Sequence, residues 1–139
     1  MRFMMLVIPK GYENAAPNEA PQADAVAKMM KYNEALANAG ILLSLDGLKP
    51  PSAGARVSFS GGKPKVTDGP FSEAKECVGG YWMIQVKSRE EAVEWAKRAP
   101  MTGPGQKTEI RRMTSIEDFP QDNEWIQKER AWRERTGQL

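Results

Sequence analysis

Asp68, Glu73, Lys75 and Glu76 gather ionisable groups of both signs into one stretch, Val66-Thr67-Asp68-Gly69-Pro70-Phe71-Ser72-Glu73-Ala74-Lys75-Glu76, which runs on to Gly79-Gly80-Tyr81. A carboxylate can exchange a proton or anchor a ligand, and a lysine beside it can steady negative charge. The Asp-Gly-Pro-Phe turn would present that chemistry. Asp bonds its own downstream backbone readily, Gly tolerates positive φ, and Pro fixes φ and removes a donor. Two readings of Asp68 stay open. It is a carboxylate at a pocket mouth, acting as general acid/base or anchor, or it is a turn residue whose oxygens accept neighbouring N–H groups. In the first reading Gly69, Pro70, Phe71, Glu73, Lys75 and Tyr81 are the ligand-binding residues around it.

The composition narrows the chemistry further. The 139 residues contain no histidine and one cysteine, Cys77. A Cys/His zinc site and a Ser-His-Asp triad are both excluded. No metal and no cofactor are expected. Acid–base work falls to carboxylates, lysine, tyrosine or the lone thiol. Cys77 would need a neighbouring base to act as a nucleophile, so it reads as a packing residue. Gly61-Gly62 and Gly79-Gly80 lack the spacing and the Gly-Lys-Ser/Thr ending of a phosphate loop. Twenty basic against 18 acidic residues give a formal net charge of +2. That balance supplies no broad field for nucleic acid or an anionic membrane, and neither is expected as a partner. One cysteine suits a reducing cytoplasm.

The positioning elements follow from periodicity. Phe3 to Ile8 is a compact apolar run and reads as a buried first strand. A Pro/Gly/Asn loop leads into a helix over about 20–39, with Val26, Met29, Met30, Asn33, Leu36 and Ala37 on one face and Gly40 at its end. Asn33 on that apolar face is either a satisfied core polar residue or part of a pocket wall. Residues 41–45 form the second strand. Arg56–Ser60 and Lys63–Thr67 flank Gly61-Gly62 as a hairpin, and Pro64 keeps the return strand at an edge. Tyr81 to Val86 is a central strand, and its opening glycines imply close backbone approach. Ser88-Arg89-Glu90-Glu91 is a capping box ahead of a helix that ends at Pro100. Lys107 to Met113 closes the series, with Thr108, Ile110 and Arg112 on one face. Tyr32 and Tyr81 either point phenols into a pocket or sit in the core. Arg2, Arg111 and Arg112 are candidates for an anion site at the sheet edge.

With the hairpin set aside, the order is βαββαβ, an α+β fold of the ferredoxin-like kind. Both helices on one face would leave the other face bare, and a second copy is its natural cover, so a homodimer is expected. Residues 1–113 form this domain and residues 114–139 a C-terminal extension. In the extension, Asp122 or Asn123 caps a helix carrying Trp125 and Trp132 on one face. Glu124–Lys128, Glu129–Arg133 and Arg130–Glu134 are opposite charges four apart. The tryptophans are expected to clamp this helix onto the body or onto a partner subunit, with a docking helix for another protein as the competing reading.

The Asp68-Gly69-Pro70-Phe71 motif resembles the DGPF-domain proteins of the YCII-related superfamily. Gly47-Leu48-Lys49-Pro50-Pro51, the stretch from Val66 to Glu76, Gly79-Gly80-Tyr81 and Glu91-Ala92-Val93-Glu94-Trp95-Ala96 fit in order and spacing. The resemblance covers about residues 1–113. It implies a dimeric α+β barrel of ferredoxin-like halves, and an association with sigma factors implies a regulatory link. In the wider family a histidine–aspartate pair has been proposed as an active site. Asp68 matches the aspartate, and the histidine has no counterpart here. Two functions follow: a dimeric small-molecule-binding or regulatory module with a cleft near Asp68, or a small enzyme using Asp68 as general acid/base on a small polar substrate.

Overall fold

A computed structural model of the chain describes residues 1–101 and 103–138. Six strands and three helices follow one another: β1 (Arg2–Ile8), α1 (Ala23–Asn38), β2 (Leu42–Gly47), β3 (Ala55–Ser60), β4 (Lys63–Asp68), β5 (Gly80–Gln85), α2 (Arg89–Lys97), β6 (Lys107–Arg112) and α3 (Glu124–Thr136). The four-stranded sheet has the order β2-β5-β1-β6 with every neighbour antiparallel. Among the described residues β3 and β4 pair only with each other. This is an α+β arrangement consistent with the ferredoxin-like expectation.

The register sorts the sheet into two faces. Phe3 lies opposite Ile84 and Met5 opposite Trp82 on one side, and Met5 lies opposite Ile110 on the other. Directly opposed residues share a face. Phe3, Met5, Trp82 and Ile84 therefore face the helices, where they close a core with Tyr32 and Leu36 of α1 and Ala92 of α2. Met4, Leu6, Tyr81 and Met83 occupy the opposite face of the two central strands and are only half-buried. Ser44 and Asp46 of β2, and Glu109 and Arg111 of β6, flank that apolar stripe with polar groups.

Local chemistry explains where the elements stop and bend. α1 starts at Ala23, three residues after the expected onset, behind Gln22, which makes no side-chain cap. Gly40 follows its end at φ 71°, a left-handed cap that glycine adopts without strain. β2 runs on through Asp46-Gly47 rather than stopping before them, because both pair with β5. A bulge between Leu42 and Ser44 turns Leu43 outward. At α2, the Ser88 hydroxyl accepts from the Glu91 N–H. The reciprocal bond shifts by one residue: the Glu91 carboxylate accepts from the Lys87 N–H. Tyr32 is buried with its hydroxyl donating to the Trp95 carbonyl at 2.7 Å, and burial pushes its phenol up to about 12.

The extension folds on its own scale. Asn123 caps α3 by accepting from the Trp125 N–H, and Gly137 ends it at φ 70°. Lys128–Glu124 and Arg133–Glu129 pair as expected. Arg130 turns instead to Glu117 and Gln121, tying the helix to a short turn at Ile116–Asp118. The tryptophans do not clamp α3 to the body of this chain: Trp125 is 70% and Trp132 45% exposed. At the turn, the Ser115 backbone N–H and then the Arg112 guanidinium hold the Asp118 carboxyl below its ordinary 3.8. A depressed carboxyl supports the folded turn above its unfolded pKa and stops doing so as pH falls through the folded one. The Ser115 amide resonance should therefore follow a titration whose midpoint lies below pH 3.8. In Asp118→Asn that step should vanish.

Candidate functional site

A cavity of about 120 Å³ opens where β2, β5 and α1 meet. Its walls are Val7, Met29, Leu45 and Trp82, its polar groups are Asn33, Asp46 and Tyr81, and Gly47, Gly79 and Gly80 complete it. Gly79 and Gly80 are there for space. A Cβ on Gly80 would lie 2.9 Å from the Asp46 carbonyl oxygen, and one on Gly79 would lie 2.9 Å from Pro9 Cγ. The double glycine thus lets β5 pass close to β2 and to the loop after β1, as its place at the strand opening implies.

Asn33 gives the cavity its chemical direction. Its Oδ1 accepts from Trp82 Nε1 at 2.7 Å. Indole N–H is a donor only, so the amide orientation is fixed, with the NH₂ group turned the other way. The Nδ2 contact is with the Met30 sulfur at 3.9 Å, a weak acceptor. A preset amide donor therefore stands in an apolar wall. Tyr81 OH approaches Asp46 Oδ2 at 3.3 Å on the exposed side of the strands. Asn33 is thus a half-buried pocket-wall residue whose carbonyl is taken up by Trp82.

The acidic turn lies elsewhere. Of the residues expected around Asp68, only Tyr81 lines the cavity; Gly69, Pro70, Phe71, Glu73 and Lys75 do not. Asp68 is exposed at the end of β4, paired across the hairpin with Ala55, and its carboxylate has no hydrogen bond among the described residues. It is neither the bonded turn residue nor a member of this pocket. Gly69 packs on backbone: its N–H donates to the Gly54 carbonyl at 2.9 Å, and a Cβ there would fall 1.7 Å from the Pro51 carbonyl oxygen. The Gly69–Pro70 peptide bond is cis. Phe71 lies under the Arg56 guanidinium at 3.9 Å, and Glu73 pairs with the same guanidinium at 2.6 Å. Glu76 pairs with Lys107, and Lys75 is exposed without an ion pair among the described residues. The Phe71 and Glu73 contacts hold the loop to the base of the hairpin, and the Glu76 pair ties it to β6.

The remaining candidates are dispersed. Arg111 is exposed on the sheet's open face, while Arg112 pairs with Asp118. Cys77 is half-buried, and burial and the nearby Glu13 push its thiol up, away from nucleophilic character. No group of three or more potential metal ligands occurs among the described residues. No helix among them is long and apolar enough to cross a membrane.

Comparison with known proteins follows this geometry. The model of the YCII-related domain matches residues 1–114. An uncharacterized protein of Rhizobium meliloti (strain 1021) is 34% identical over 87 residues, which span 63% of this chain and 67% of that protein. α3 and the turn before it lie beyond the matched residues.

Proposed function

The chain belongs to the family of YCII-related domains, and on that premise we propose that it is a homodimeric small-molecule-binding module with regulatory use. The ligand site is the cavity between Asn33, Trp82 and the double glycine. The observation that carries this reading is the Asn33 amide in the cavity wall, with its Oδ1 held by Trp82 and its Nδ2 left only the weak Met30 sulfur as a partner. The matching ligand is a small neutral molecule with one carbonyl-type acceptor. A dry cavity of ~150 Å³ holds benzene, so a molecule of about six heavy atoms fits this scale.

The dimer reading rests on the open sheet face. Its apolar centre and polar margin have the anatomy of an interface. A link to a sigma factor comes from the family resemblance alone. The enzyme alternative, with Asp68 as general acid/base, finds less support. Asp68 stands in the open, outside the cavity, with no second ionisable side chain bonded to it among the described residues.

Asn33→Asp tests the site with little change of shape. The carboxylate still accepts from Trp82 but loses the amide donor. In a thermal-shift panel of small neutral amides and lactams, at least one compound should raise the wild-type midpoint. The same compound should bind Asn33→Asp about 10- to 100-fold more weakly, as expected for a hydrogen bond of about 1.5–3 kcal/mol replaced by an unpaired acceptor. Equal shifts in both proteins would remove Asn33 from the site.

A further inference from the structure

The β3–β4 hairpin contributes nothing to the core. All of its strand residues are exposed, and a lone two-stranded sheet is marginal in water. Its pattern is nevertheless sorted. Val57 lies opposite Val66, Phe59 opposite Pro64 and Ala55 opposite Asp68. Opposed residues share a face, so Ala55, Val57, Phe59, Pro64 and Val66 make an apolar side, with Asp68 at its end beside Ala55. Arg56, Lys63 and Lys65 fall on the other. Phe59 is 77%, Val66 65% and Val57 52% exposed. Together these side chains present on the order of 300 Å², the size at which an apolar patch marks an interaction site. The chain's own loop occupies the opposite side, because Arg56 is held by Phe71 and Glu73. Among the described residues the apolar side stays exposed.

We infer that the hairpin is an arm whose apolar face packs on a second copy of the chain; this rests on the homodimer reading above. Area favours the second copy over a foreign partner. The central stripe of the sheet is already half-buried and has little more to give. A stable interface uses about 800 Å² per partner. In a two-fold dimer each subunit offers one arm and receives another, so the arm's area counts twice on every subunit. Four half-buried side chains make a small interface on their own, and exchanged arms add exposed apolar area to it. Continuity argues the same way. The hairpin leaves and rejoins the sheet between β2 and β5, where the Leu48 N–H donates to the Gly79 carbonyl at 2.9 Å. It therefore extends from the sheet whose open face the second copy covers. Lys63 and Lys65 on its polar side guard the free arm against edge-to-edge pairing.

Sedimentation equilibrium on the full chain, with Phe59→Asp/Val66→Lys beside the wild type, tests the inference. Both substituted side chains are exposed, so the far-ultraviolet dichroism of the double variant should match the wild type and serve as the folding check. The expected result is a wild-type dimer and a double variant at least 100-fold weaker in self-association. A photo-crosslinker at position 59, in dimers mixed from light and ¹⁵N-labelled chains, should join a light peptide to a heavy one. A double variant that dimerises as tightly as the wild type, or crosslinks confined to one chain, would overturn the arm and leave the homodimer standing. A wild-type monomer would remove both. Crosslinks to an added vesicle or to a foreign protein, with a wild-type dimer lacking them, would also overturn the arm.

Discussion

Trp82→Ala is expected to cost about 4 kcal/mol of folding stability, the scale for emptying a large buried aromatic site. Trp82 joins the two halves of the core. Its ring meets Tyr32 of α1 edge-on, with centroids 5.0 Å apart, and its Nε1 donates to Asn33 one position along the same helix. Trp82→Phe separates these contributions. The ring contact largely survives, while Asn33 Oδ1 loses its donor, so the expected cost is about 1–2 kcal/mol. Urea unfolding followed by far-ultraviolet dichroism reads both, with the denaturant slope unchanged. A Trp82→Ala cost below about 1 kcal/mol would contradict a core built on this residue. Equal costs for the two variants would assign the whole effect to the hydrogen bond.

Gly69→Ala carries the second large effect, and it acts on the hairpin rather than on the core. The new methyl would lie 1.7 Å from the Pro51 carbonyl oxygen and 2.6 Å from its carbon. Both are backbone atoms that cannot rotate aside. The turn must therefore leave the Pro51–Gly54 segment, breaking the Gly69–Gly54 hydrogen bond. The expected cost is about 3 kcal/mol, expressed as local opening of the arm, since β3 and β4 pair with no other strand among the described residues. Proteolysis between residues 55 and 76 should accelerate about 100-fold when cleavage follows the population of the open form. Gly54→Ala is the matched control. Its added Cβ would sit 3.6 Å from the same oxygen, an ordinary contact, and its backbone is extended. If the two variants digest alike, the close approach at Gly69 does not hold the arm.

The elements of the fold were legible because each writes its signal locally. Ser88 with Glu91 three residues on marks a helix start, and the residue at Asn123 announces the other cap. The alternation around Gly61-Gly62 gives the hairpin its register. Boundaries slipped where pairing rather than propensity decided: β2 extends through Asp46-Gly47 because β5 is there to receive it. The site was less legible for the same reason turned around. Asn33 and Trp82 are 49 positions apart and Asp46 and Tyr81 are 35 apart. No local pattern links them, and only the β2-β5-β1 order brings them together. The polar Asn33 on an apolar helix face, and the double glycine ahead of Tyr81, were the signals that pointed to the cavity. The charged turn after β4 drew attention by its chemistry. In the fold, Phe71 and Glu73 spend that chemistry on Arg56, and Asp68 is left facing outward. The exposed Trp125 and Trp132 could not be read from spacing either, because an aromatic stripe looks the same whether its cover is the same chain or another.

The most direct test of the account is a titration followed through the Asn33 side-chain NH₂ resonances, using whichever small neutral carbonyl compound gives the largest thermal shift. The account predicts that these two proton signals move downfield and saturate with the same Kd as the stabilisation, together with the Trp82 indole and the Gly79 and Gly80 amides, while the amide of Asp68 stays still. Saturable shifts at Asp68, Gly69 and Lys75 with Asn33 unmoved would contradict it and return the ligand to the acidic turn.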